Sequence, residues 1–168
     1  MAKKGVKVID RGWNKIVREL FGLAKGQGVA VGVQGEESQK ASEEHDGNTN
    51  VEIAVVHEYG SSDKKHPPER SFLRSTFDEK RANYEIALTK LAKGVFSGGT
   101  VEGHLFLLGE EAKGDIIDKI KAGIPPALSE TTKAQRLPGQ GTTPLIKTGQ
   151  LWNSITAAFV DPNLVRIK

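Results

Sequence analysis

The chain predicts an α+β domain, a small, mainly antiparallel β-sheet covered by about three longer helices, with extended loops between the elements. Three patterns predict it. Apolar residues recur at spacings of three and four over 6–24, 71–93 and 101–122, the period of one helix face. Valine takes every second position in Val29-Ala30-Val31-Gly32-Val33, the period of a strand with one bulky face. Polar or Gly/Pro-rich stretches at 34–50 and 137–143 interrupt these segments.

In the first helix, Ile9, Trp13, Ile16, Leu20 and Leu23 share one face, and Gly26 and Gly28 end it. The Val29–Val33 strand follows, with Gly32 leaving room for close backbone approach. Gln34 to Asn50 is poor in apolar residues and is expected to be a mobile excursion that orders on a neighbour. Val51 to Glu58 is ambiguous. Its β-branched residues favour a strand, and Ile53, Ala54 and Val56 also fit two helical turns. Gly60-Ser61-Ser62-Asp63 ends it.

Ser71 to Lys93 is the strongest helical segment, with Ser71 as its cap and Leu73, Phe77, Tyr84, Leu88, Leu91 and Val95 as its stripe. Gly98-Gly99 closes it. A second long helix spans about 101–122, with Leu105, Leu108, Ala112, Ile116 and Ile120 on one face. Gly109 weakens that helix by about 1 kcal/mol relative to alanine, and Pro125-Pro126 stops it. Ala127 to Arg136 reads as a short helix capped by Ser129, and 137–143 as a flexible connector. Thr148 caps a helical turn through Ser154. Ile155 to Val160 is a strand, and Leu164 to Lys168 pairs back across the Asp161-Pro162-Asn163 turn. Trp13, Phe72, Phe77, Leu105, Ile116 and Phe159 are the expected core.

The 168 residues suit a single domain over 1–168, and a 37% hydrophobic content with 19 glycines predicts long polar loops around a small core. The chain has no cysteine, which removes disulfides, thiolate zinc sites and cysteine nucleophiles. No apolar run approaches the roughly 18 residues of a membrane span. Met1-Ala2-Lys3-Lys4-Gly5 has a basic start with no apolar stretch behind it, unlike a signal peptide. A cytosolic protein, or one delivered by assembly into a larger particle, is expected. The net charge of +3 is interspersed, as in Glu79-Lys80-Arg81, where a dedicated nucleic-acid binder gathers its charge into a stripe.

The segment Ile53-Ala54-Val55-Val56-His57-Glu58-Tyr59-Gly60, followed by Pro68-Glu69-Arg70-Ser71-Phe72-Leu73-Arg74, is the most informative part of the chain. His57-Glu58 matches the start of a zinc-protease motif, but Ser61 stands where its second histidine would be. His45, His66 and His104 are scattered without ligand spacing. Gly26-Gln27-Gly28 leads into a strand and not from strand to helix, so it is no dinucleotide loop. No Gly-Lys-Ser/Thr phosphate loop is present. No catalytic residue, cofactor or metal follows from these patterns. Arg70 and Arg74, a helical turn apart, either meet carboxylates of a neighbouring subunit or, in the case of Arg70, tie the helix start to Glu58. Tyr59, Phe72 and Trp152 are either interface anchors or core.

Together with a second segment, these residues carry a family resemblance. The second segment is Leu128-Ser129-x-x-Thr132-Lys133 followed by Pro144-Leu145-Ile146-Lys147-Thr148-Gly149-Gln150-Leu151-Trp152-x-Ser154-Ile155. The pair resembles the phage virion-morphogenesis and tail-completion proteins, small structural proteins of the head–tail junction in tailed bacteriophages. The match covers roughly half the chain. Related tail components place the Thr-Gly-x-Leu segment before the Glu-aromatic-Gly segment, and here it comes last. The resemblance favours a helix over Val51 to Glu58. It implies a non-enzymatic subunit of a homo-oligomeric ring at the neck, collar or tail end, in contact with portal or connector and with tail-terminator or tail-tube proteins. It implies a location in the virion, and in the host cytoplasm during assembly. A mildly positive lumen would pass genomic DNA without reading its sequence. On this view His57, Glu58, Tyr59, Gly60, Arg70, Phe72, Arg74, Thr148, Gly149, Leu151 and Trp152 form the fold corner and the subunit contacts. The rival readings are a nucleic-acid-binding module of a mobile element and a cytosolic hydrolase using His57 and Glu58.

Overall fold

A computed structural model describes residues 10–39, 47–61 and 67–162. Its architecture is α+β. Helix α1 (Trp13–Ala24) leads to strand β1 (Gly28–Val33), and the short helices α2 (Glu36–Gln39) and α3 (Asn50–Tyr59) follow. The long pair α4 (Arg74–Phe96) and α5 (Val101–Ala122) precedes α6 (Glu130–Ala134), α7 (Gln150–Asn153) and β2 (Ile155–Val160). Strands β1 and β2 form a two-stranded antiparallel sheet with Gly28 opposite Val160 and Val33 opposite Ile155. The expected third strand, Leu164 to Lys168, lies outside the described residues, as do Ile9, His45 and His66, and the first helix, expected over 6–24, begins only at Trp13, after Gly12 at φ 100°.

Helix α5 organises the interior. Its C-terminal half contributes Ile116 and Ile120 to a core with Ala54, Phe72, Ile124, Leu151 and Ile155. Its N-terminal half contributes Val101 and Leu105 to a second core with Leu91 and Val95 of α4. Between them the helix presents Gly109 and Ala112, both buried. A Cβ at Gly109 would run into the Val29 side chain and sit 3.0 Å from the Ala157 Cβ. Close backbone approach therefore occurs at Gly109, not at Gly32, where a Cβ would meet nothing. The absent side chain lets the sheet lie directly on α5, and the lost helix propensity is offset by that packing.

The sheet rests on α5, α4 packs along α5, and α1 touches both long helices. Valines 31 and 33 face the first core and Val29 the second, as their alternation predicts.

Several expected core positions lie elsewhere. Trp13 is 63% exposed, because α1 buries no residue fully and rests on the second core only through Ile16, Leu20 and Leu23. Phe77 is 37% and Leu88 45% exposed. A helix of 23 residues is about 35 Å long, and its middle outruns the small core. Thr76 is buried in place of Phe77, its hydroxyl donating to the Phe72 carbonyl at 2.6 Å. Phe72, Leu105 and Ile116 are buried as expected, and Phe159 packs half-buried on the second core.

Part of the 34–50 excursion is ordered. Helix α2 buries Ser38, whose hydroxyl donates to Gly35 O at 2.6 Å. Thr49 and Glu52 form a reciprocal capping box that starts α3. Residues 40–46, the middle of the proposed mobile segment, lie outside the described residues.

Candidate functional site

The Glu-Tyr-Gly segment ends α3, and the chain doubles back so that Arg70 N donates to His57 O at 2.7 Å. Gly60 makes the bend. Its φ is 77°, and a Cβ there would approach Glu69 N to 3.0 Å, so a side chain is disfavoured on two grounds, backbone strain and a tight contact.

This return sets the first turn of α4 on the carboxylate of Glu58, which is 3% exposed. Glu58 Oε2 accepts the backbone N–H of Phe72 (2.8 Å) and Leu73 (2.9 Å). Its Oε1 accepts the Ser71 hydroxyl (2.7 Å), Arg74 N–H (3.0 Å) and Arg74 Nε–H (3.1 Å). A helix leaves its first N–H groups without partners, and here a glutamate from the preceding helix supplies them. Ser71, the expected cap, plays a smaller part, accepting Ser75 N–H at 3.2 Å. Burial pushes the Glu58 carboxyl up, but the bonds from Leu73, Ser71, Arg74 and Phe72 outweigh it and hold the group below the ordinary glutamate value.

Arg74, not Arg70, is the arginine that meets Glu58. Its Nη2 also donates to Glu58 O (2.9 Å) and Glu69 Oε1 (2.8 Å). Its guanidinium stacks 4.6 Å from the ring centre of Tyr59, which is 62% exposed. Arg70 turns inward, where Nε donates to Pro126 O (2.9 Å) and Nη2 to Ala127 O (3.3 Å).

A similar cap recurs at α5, where Glu19 Oε2 of α1 accepts Val101 N–H at 2.8 Å beside the local Thr100 cap.

The second segment meets the first. Gly149, buried at φ 83°, starts α7 with no side-chain cap, so Thr148 does not have the capping role expected of it. A Cβ on Gly149 would collide with the Trp152 indole folded over it. Lys121 Nζ lies 4.9 Å from the centre of that ring. Leu151 is buried in the first core with Phe72. The connector 137–143 is tied down by the Arg136 guanidinium, which donates to the carbonyls of Gly141 and Ile146.

His57, Arg70, Thr148, Gly149 and Leu151 line one cleft of about 430 Å³, bounded by α3, α6 and the 144–151 segment. Tyr59, Phe72, Arg74 and Trp152 lie outside it. Sequence reasoning missed Arg136 and Lys147, which also line the cleft. Their one signal was position, just before the Pro-Gly-rich connector and next to the Thr-Gly pair.

Among the described residues, no group of three or more His, Cys, Asp or Glu side chains is placed to hold a metal ion. No described helix is long and apolar enough to cross a membrane. No family model, curated protein or solved structure matches the chain.

Proposed function

We propose that the chain is a structural subunit of a tailed-phage virion at the head–tail junction, a neck, collar, connector or tail-completion protein that acts by docking. The observation that carries this reading is the amount of large apolar side chain left in solvent. Trp13 (63%), Phe21 (59%), Ile86 (56%), Phe96 (55%) and Leu107 (67%) are all more than half exposed. Ile86 and Leu107 line one groove between α4 and α5. Apolar surface gathered in this way suits protein–protein contact. Ring assembly needs two different surfaces that meet head to tail, and the outer faces of α1 and of the α4–α5 pair are candidates. Tyr59, Arg74 and Trp152 supply exposed or half-exposed anchors at the corner.

The saturated Glu58 carboxylate favours docking over hydrolysis. A carboxylate offers about four acceptor sites, and here they meet main-chain N–H groups, a hydroxyl and a guanidinium. A general base needs an acceptor open to substrate.

The test is the solution mass of the purified protein, alone and mixed with portal and tail-tube proteins of the same phage. Ring-sized assemblies or a stable complex with either partner are expected. A strict monomer that joins neither partner would overturn the reading.

A further inference from the structure

The cleft between α3, α6 and the 144–151 segment has an unusual charge balance. Among the described residues, Arg70, Arg136 and Lys147 line it, and no Asp or Glu does. Both guanidiniums are anchored by main-chain carbonyls, Arg70 to Pro126 and Ala127, Arg136 to Gly141 and Ile146. Carbonyls fix their direction without neutralising their charge. Among the described residues, none of these three cations is in a salt bridge. Burial lowers the pKa of both arginines, as expected where no counter-ion offsets desolvation. An arginine has five N–H donors, so each guanidinium keeps donors beyond those its carbonyls take.

Ile53, Leu128, Leu145 and Leu151 give the cleft an aliphatic wall, beside the uncharged polar side chains of Ser129, Thr132, Thr148 and Gln150 and the His57 imidazole. We propose that this cleft is a docking site for an acidic peptide segment of a partner protein, taking a carboxylate onto Arg70, Arg136 and Lys147 and a neighbouring aliphatic side chain against Ile53 and Leu145. Charge complementarity selects the carboxylate, and the aliphatic walls select the residue beside it. A nucleic acid fits poorly. Single strands bind by stacking bases on aromatic rings along a groove, and among the described residues no Phe, Tyr or Trp lines this cleft. The proposal does not depend on whether the chain builds rings.

The experiment uses the full chain and fluorescence anisotropy. The probes are a labelled peptide alternating leucine and glutamate, the same peptide with glutamine for glutamate, and labelled oligothymidylate. The glutamate peptide is expected to bind about tenfold tighter than the glutamine peptide, a difference of about 1.4 kcal/mol, and to weaken as salt rises. Arg70→Ala risks the fold, so the variants are Lys147→Glu, which reverses the charge at the cleft wall, and Thr132→Trp, which fills the mouth from the exposed face of α6. Each is expected to weaken the glutamate peptide about tenfold with an unchanged circular-dichroism melt. Equal binding of the two peptides, no binding of either, insensitivity to both variants, or tighter binding of oligothymidylate would each overturn the proposal.

Discussion

The Glu58 carboxylate accepts both the backbone N–H of Arg74 at 3.0 Å and its Nε–H at 3.1 Å, so one residue of α4 is held by main chain and side chain to the end of α3. With the bonds from Phe72 and Leu73, the glutamate serves as the cap of a helix that begins beyond an intervening loop. Glu58→Gln keeps the shape, removes the charge and turns one acceptor into a donor facing N–H groups. A loss of about 3 kcal/mol is expected in urea denaturation, because charge-assisted bonds to buried donors are left imperfect. A loss below about 0.5 kcal/mol would show that the corner holds without it.

The same carboxyl makes the fold acid-sensitive. Its folded pKa is depressed, so its contribution is fully present above the unfolded value of about 4.3 and is lost as pH falls through the lower folded value. The wild-type midpoint should therefore drop in that window by more than the Glu58→Gln midpoint. Parallel acid profiles for the two proteins would refute the assignment.

Gly109 gives a prediction whose sign differs from helix propensity. At an open helical site Gly→Ala gains about 1 kcal/mol. At Gly109 the new methyl meets Val29 and Ala157, and overpacking costs about 1–3 kcal/mol. Thermal melts should show Gly109→Ala destabilised, with Val29→Ala in the same chain restoring part of the loss. A more stable Gly109→Ala would mean that the sheet does not lie on α5 at this point.

Tyr84 donates to Asp115 Oδ2 at 2.9 Å, and Lys80 pairs with the same carboxylate at 3.1 Å. Burial and the Asp115 bond raise the phenol pKa well above its ordinary value. Its contribution to stability is therefore present below about pH 10 and lost as pH rises through the folded value. In a Tyr59→Phe background the phenolate absorbance should appear well above pH 10, and Asp115→Asn should lower that midpoint. Ionisation near pH 10 in the folded protein would contradict the hydrogen bond.

The Gly149–Trp152 pair is the last test. Gly149→Ala forces a side chain into a left-handed backbone position and against the indole. A loss of about 1–3 kcal/mol is expected, with altered tryptophan emission as the indole lifts away. Unchanged emission and stability would separate the Thr-Gly turn from the corner.

Much of the fold was legible from local pattern. The limits of α5, the Ser129 cap and the valine face of β1 depend on neighbours a few residues apart, where period and capping chemistry act. The helical state of 50–59 was not decided by composition, because β-branched residues fit either element; the Thr49–Glu52 capping box and burial of Ala54 are what the helix shows. Trp13 and Phe77 misled because periodicity marks a face without saying whether anything covers it. At the candidate site, both segments were visible as unusual strings, but their meeting at one cleft was not.

The amino-acid sequence by itself determined the presence of the two long helices and of strands β1 and β2, and that no cysteine chemistry is available. Only the tertiary structure decided that Glu58 caps α4, that Arg74 and not Arg70 pairs with it, and that Gly109 is the seat of the sheet. The division is physical. Hydrophobic period and local capping act over a few residues of chain, whereas the partner of a buried charge or of a missing side chain is set by which distant segments the packed core brings together.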